Sequence, residues 1–461
     1  MMRRFSASLM VTMGVLALGA AAPGCGDDEE LPKECSLSAA QSGCEEGFVC
    51  EEVEGGKPTC FQPVTFKGKV YNALDTKPIA GARVVARDAN DAVVSSVATS
   101  GADGTYSLRL PAKRDPSGKV LLTGQFTLRA DAKAFATFPK APRVGIPIDV
   151  ATAKGAPPVL QSAATDIALI PLADAAGLGT VSGKVVAPNP GGTLVVANGA
   201  TGVADFAGNY TVFNVPAGMV EVRGYAAGIN VDPKTANVTA NAETKGVDLV
   251  DNKKPTATIS GSISIVNGGE GTTTSIVLAV EETFEETATR GEVPKGLRVG
   301  NITNSWSIAG VPNGKYVVLA AFENDDFVRD PDTSIGGTEL VHIEVTGSNQ
   351  ALAQSFKITG ALDVIAPGAD MIETVTGTPK FEWEDDSSED EYNVKLFNGL
   401  GDMVWEKTGN FDPGGGGNAS VDYDGAALLP GMIYQFRATS IKGGVPISST
   451  EDLKGVFVYG K

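Results

Sequence analysis

The side chains of this 461-residue chain that could do chemistry are one histidine, five cysteines, three tryptophans and a few acidic runs. The single histidine, His342, excludes His-pair metal motifs such as HExxH and argues against a His-based triad. It alternates with Val341 and Ile343, which places it on the outer face of a strand. Between Glu382 and Glu391 stand seven acids and no base: Glu382, Glu384, Asp385, Asp386, Glu389, Asp390 and Glu391. Asn324, Asp325, Asp326, Asp330 and Asp332 form a looser set. Calcium takes roughly six to eight oxygens from such loops. Neither run has the DxDxDG spacing, and solvated turns explain both more simply. Paired carboxylates hydrolyse glycosides, yet nothing places two of them on facing walls of a cleft. There is no Gly-x-Ser-x-Gly, no P-loop and no GxGxxG. Trp306 and Trp383 occupy strand positions that read as core. Trp405, beside Met403 and Val404, is the one free candidate for a sugar platform. The expectation is of no catalytic residue, no metal and no cofactor.

The cysteines divide into one and four. Arg3 and Arg4 precede an apolar run from Leu9 to Ala22, followed by Pro23, Gly24 and Cys25. A charged start, a short apolar stretch and small residues before a cut site describe a secretory signal over residues 1–24. The run is too short for a comfortable transmembrane helix. Ala22-Pro23-Gly24-Cys25 resembles the lipobox of bacterial lipoproteins, and that resemblance implies lipidation of Cys25 and attachment to a membrane through it. Gly26 follows Cys25 with no adjacent aspartate, which favours the outer membrane. The remaining Cys35, Cys44, Cys50 and Cys60 make an even set in an exported chain and read as two disulfides. Three pairings are open, and the zinc alternative lacks closely spaced CxxC pairs. Residues 25–62 form an acidic tether and cysteine-rich module; residues 25–60 carry ten acids against Lys33 and Lys57. With little beyond Phe48, Val49 and Phe61 to bury, the segment depends on its crosslinks.

The elements that would position these residues are strands. The chain has 56 glycines and 26 prolines with 42% hydrophobic residues, which favours many short elements joined by tight turns. A formal charge of −18 argues against nucleic acid as a partner. One pattern occurs three times. It opens at Phe66-Lys67-Gly68-Lys69-Val70, at Val181-Ser182-Gly183-Lys184-Val185 and at Ile259-Ser260-Gly261-Ser262-Ile263. It closes on alternating strands around Tyr106, Tyr210 and Trp306, the first two entered through Gly104 and Gly208. Another alternating strand follows each closing proline, as in Phe126-Thr127-Leu128-Arg129-Ala130. The third copy carries a long insertion, Glu281 to Gly300.

Gly-x-Val, then Gly81-Ala82-Arg83-Val84, then Asp103-Gly104-Thr105-Tyr106-Ser107-Leu108 resembles carboxypeptidase regulatory-like domains. That resemblance implies transthyretin-like or starch-binding-like sandwiches, mostly non-catalytic, some of whose relatives bind carbohydrate. Near the C-terminus, Trp383 and the run Leu428-Leu429-Pro430-Gly431-Met432-Ile433-Tyr434-Gln435-Phe436 resemble a fibronectin type III domain. The resemblance makes Tyr434 a corner residue whose hydroxyl bonds back to its own chain. The expectation is all-β: tandem β-sandwich domains after a signal peptide and a small disulfide-rich segment. The sandwiches would span 63–175, 176–252, 253–350 and 360–461. The expected role is a non-catalytic, lipid-anchored envelope protein with envelope proteins or polysaccharide as partners. The alternative is a carbohydrate-binding adhesin or accessory subunit of a surface enzyme.

Overall fold

The computed structural model describes residues 33–36 and 43–460, apart from 89–92, 111, 122–124, 140–144, 146, 267–271, 287–288, 321–325, 331–339, 387, 400–401, 412–416 and 452–453. Cys25 and the leader lie outside the described residues, as do Asn324, Asp325 and Asp332. Among the described residues the chain is all-β, with short 3-10 turns and no α-helix. No helix there is long and apolar enough to cross a membrane. The strands form tandem sandwiches behind the cystine segment.

The three repeats share one topology. Each opening strand (Val64–Asn72, Leu178–Val186, Ala257–Ile265) runs antiparallel to the closing strand that carries the aromatic (Thr105–Leu110, Asn209–Pro216, Ser305–Val311). Its other edge takes a returning segment in parallel. That segment is Ile167–Leu169 in the first repeat, Leu249–Val250 in the second and Gln350–Gly360 in the third. The facing sheet is built on Arg83–Arg87, Leu194–Ala197 and Thr274–Val280, each paired with the strand after the closing proline. Tyr106, Leu108 and Leu110 are buried while Thr105, Ser107 and Arg109 are exposed, as a period of two requires. The third sandwich runs to Gly360, past the expected end at 350. A register shift along the opening strand, between Ser260 and Ser262, makes the returning strand bulge and breaks the alternation that would have marked it.

The signature glycine and aromatic are one device. Gly68 lies directly opposite Tyr106, Gly183 opposite Tyr210, and Gly261 opposite Trp306. Without a side chain at Gly68, the returning chain moves in until the Thr165 carbonyl accepts the Tyr106 hydroxyl at 2.6 Å. The Tyr210 hydroxyl likewise donates to the Val247 carbonyl. A Cβ would stand 1.9 Å from the Thr165 oxygen at Gly68 and 2.2 Å from the Val247 oxygen at Gly183. In the third repeat the Trp306 ring itself fills the space, 2.8 Å from the position a Gly261 Cβ would take. Gly68→Ala is therefore expected to cost about 1–3 kcal/mol through overpacking. Gly177→Ala, with nothing within 4 Å, serves as the neutral control in the same thermal unfolding experiment. Equal melting temperatures for both variants would refute this account of the motif.

In the last domain, Lys380–Trp383 pairs with Val364–Ala366 and Ala419–Asp422. The facing sheet holds Glu391–Asn398, Met403–Gly409, Ile433–Lys442 and Val456–Tyr459. Trp383, Phe381, Tyr392 and Phe436 fill the space between the two sheets. The Tyr434 hydroxyl accepts the Leu429 N–H at 2.9 Å, fixing the turn five residues upstream.

Candidate functional site

The sandwiches are packed face against face, and a polar site is built where three of them meet. In the first sandwich Val84, Ala86, Phe126, Leu128 and Ala130 point into the core. Arg83, Val85, Arg87, Thr127, Arg129 and Asp131 point the other way, as strand geometry dictates. Alternation alone gives this as a solvated face. It is covered instead: Arg87 is 4% exposed, Arg129 0% and Asp131 5%.

The cover comes from the next two sandwiches. Arg129 Nε and Nη2 fork onto the Asp131 carboxylate, both at 2.9 Å. Nη2 also donates to Thr201 Oγ1 of the second sandwich at 2.7 Å. Nη1 faces Glu292 Oε1 of the third sandwich at 2.5 Å. Arg87 Nη2 donates to the other Glu292 oxygen, and Thr137 Oγ1 donates to Asp131 Oδ1 at 2.9 Å. Glu292 belongs to the insertion that lengthens the third repeat, so that insertion is a clasp reaching back to the first sandwich. Burial alone would raise the Glu292 carboxyl, but Arg129 and Arg87 outweigh it and hold the group below the ordinary glutamate value.

Two further joints surround the node. Asn214 Nδ2 donates to the Ala132 and Phe135 carbonyls at 3.0 and 2.7 Å, and its Oδ1 accepts the Ala134 N–H at 2.7 Å. Leu194, Val196 and Tyr225 of the second sandwich belong to the core of the third, while Val195 and Ala197 face their own. This explains why Leu194–Ala197 is apolar on both faces; in Thr274–Val280, Ile276, Leu278 and Val280 face the core while Val277 and Ala279 are covered by Val293 and Phe284 of the insertion. Where the three sandwiches meet they leave a cavity of about 410 Å³. Arg87 and Thr127 of the first line it, with Thr201 and Phe213 of the second and Thr283 and Arg290 of the third.

The cystine segment is docked to the first sandwich. Cys35 is bonded to Cys50 and Cys44 to Cys60, although Cys50 and Cys60 are directly opposed across the hairpin. Loops of 15 and 16 residues make each bridge worth about 3 kcal/mol. Val49–Val53 pairs in parallel with Lys113–Arg114. Glu51, counted among the solvating acids by sequence, is 1% exposed. It accepts Arg114 Nε at 2.5 Å and the Ala112 N–H at 3.0 Å. Arg114 also lies 4.8 Å above the Phe61 ring.

The other sequence candidates serve packing or turns. Trp306 and Trp383 are 3% and 0% exposed. Trp405, the candidate sugar platform, is 9% exposed, packs on Phe381 and Tyr423, and donates Nε1 to Asp424 at 2.8 Å. It offers no open face to a sugar. In the 382–391 run, Asp385 accepts the Tyr392 hydroxyl, Asp386 accepts Ser388 and Ser440, and Asp390 accepts the Gly443 N–H. Asp330 pairs with Lys357 at 2.8 Å. Among the described residues, the trio Cys35, Cys44 and Cys60 brings potential ligand atoms within 4.8 Å, and each of those sulfurs is in a disulfide. His342 is exposed on its strand, 3.4 Å from Glu281. Arg87, Arg129, Asp131 and Glu292 were missed because their spacing is that of any wet strand face or loop.

No family model matches the sequence, and no curated protein does. Solved structures align with it in part. The Bacillus anthracis TIE protein is 12% identical, covering 83% of this chain and 68% of that one, with a TM-score of 0.15. A Streptococcal ancillary pilin is 13% identical over 64% of this chain and 98% of its own, with a TM-score of 0.16. A DUF3823 family protein from Bacteroides ovatus is 12% identical over 44% of this chain and 98% of its own, with a TM-score of 0.20. At these scores the likenesses carry no argument.

Proposed function

We propose that the chain is an exported, non-catalytic protein of the bacterial cell envelope, held to the outer membrane through a lipid on Cys25 and acting as a rigid structural or binding module. The cystine segment carries this reading: two disulfides beside the tether suit an oxidising compartment. Acyl chains contribute about 0.8 kcal/mol per buried CH₂, so a multiply acylated cysteine would hold the protein at a bilayer surface. The buried groups at the sandwich junction are paired with one another across domains, which suits a part that holds its shape. The carboxypeptidase regulatory-like and fibronectin type III-like resemblances favour the same role, with envelope proteins or polysaccharide as partners.

Metabolic labelling with a palmitate analogue tests the anchor. Wild type is expected to take up label and to fractionate with the outer membrane, and Cys25→Ala is expected to do neither. Equal labelling of both would end the lipoprotein reading.

A further inference from the structure

We infer that a second cavity, between the first sandwich and the last domain, binds a small hydrophobic cation: an ammonium group on an aromatic or short alkyl body. Val70 and Ile167 are paired on neighbouring strands and point into the first core. Tyr71, Asp166 and Ala168 therefore point the other way. They line one wall of a cavity of about 440 Å³, with Phe138 beside them. Phe397, Met432 and Ile433 of the last domain line the other wall. Its size, and its place between two domains, are those of small-molecule sites.

The charge in this cavity is one-sided. Among the described residues that line it, Asp166 is the only one with an ionised side chain. Its Oδ1 accepts the Lys69 N–H at 2.9 Å, and no ion pair among the described residues occupies the carboxylate. Lys69 stands next in register, but its charge acts on Asp103. Arg437 lies 5.9 Å over the Phe397 ring and is not part of the lining. An ammonium therefore belongs on the first-sandwich wall, its N–H groups on Asp166 and its charge beside the rings of Tyr71 and Phe138. Burial, with the Asp166 charge second, holds the Tyr71 hydroxyl above the ordinary tyrosine value, so it stays neutral. The apolar body then lies against Phe397, Met432 and Ile433. An acid in the same place would meet the Asp166 carboxylate with no base to offset it. The inference holds with or without the lipid anchor.

NMR on the full-length chain with methyl-labelled methionine tests it. The probes are benzyltrimethylammonium and phenethylamine as cations, phenethyl alcohol as the neutral analogue and phenylpropionate as the acid. At least one cation is expected to bind in preference to the alcohol and the acid, and to shift the Met432 methyl signal. Asp166→Asn keeps the acceptor for the Lys69 N–H and removes the charge. It should weaken cation binding about tenfold, the loss of one charged contact, at an unchanged melting temperature. The proposal fails if neither cation binds, or if the alcohol or the acid binds as well as the cations do. It also fails if binding leaves the Met432 methyl unmoved, since the cation would then sit elsewhere, or if Asp166→Asn binds undiminished.

Discussion

Replacing Glu292 with alanine is expected to destabilise the packing of the first three sandwiches by about 3–5 kcal/mol, the cost of leaving buried charge uncompensated. Arg87 would lose its carboxylate partner and Arg129 one of its two, with neither arginine more than 4% exposed. Thermal unfolding of the full chain should show the loss, and small-angle scattering should show a larger radius as the third sandwich swings away. A variant as stable and compact as wild type would mean that the clasp adds no cohesion. The pH dependence follows from the lowered carboxyl. A depressed folded-state pKa contributes stability above the ordinary value of 4.5, lost as pH falls through the lower folded value. The stability gap between wild type and Glu292→Ala should therefore hold at neutral pH and shrink only below about 4.5.

Glu51→Ala is expected to cost a similar 3–5 kcal/mol, confined to the joint between the cystine segment and the first sandwich. Arg114 would remain buried with only the Gln62 and Gly118 carbonyls and the Phe61 ring to hold it. Limited proteolysis should then cut within residues 33–62 while the sandwiches stay intact; protection equal to wild type would refute the role. Burial pushes the Glu51 carboxyl up, and Arg114 with the Ala112 N–H only partly pulls it back. A raised folded-state pKa makes one part of the stability full below 4.5 and lost as pH rises through the folded value, while the ion pair with Arg114 supplies the rest. The two glutamates thus carry opposite pH signs, and a single acid titration of both variants separates them.

Much of the fold was legible in the sequence. Tyr106, Leu108 and Leu110 declare their buried face by alternation, and the recurrent glycine and aromatic mark strands that pair residue against residue. The unbroken apolar runs at Val195 and Val277 lie in sheets covered on both sides, which only the packing reveals. What alternation does not say is what covers a polar face. Arg87, Thr127 and Arg129 have the spacing of a wet strand, and only the packing of two other sandwiches turns them into a site. Glu292 stood in an insertion with no periodicity at all. Glu51 looked like one more acid among ten because its partner, Arg114, lies 63 residues away. Trp405 failed as a platform for the reverse reason: its ring finds its place in a core whose members, Phe381 and Tyr423, are distant in sequence.

The parallel pairing of each opening strand with its returning segment bears on mechanics. If the N-terminal end is fixed and the far end is pulled, the opening strand and returning segment of each repeat are drawn in opposite directions along their length. Neighbouring strands loaded this way share the tension across all their hydrogen bonds at once, where a hairpin pulled at its open end surrenders them singly. Each repeat therefore meets drag in shear, and with the clasp at Glu292 the three would have to part from one another before any of them could stretch.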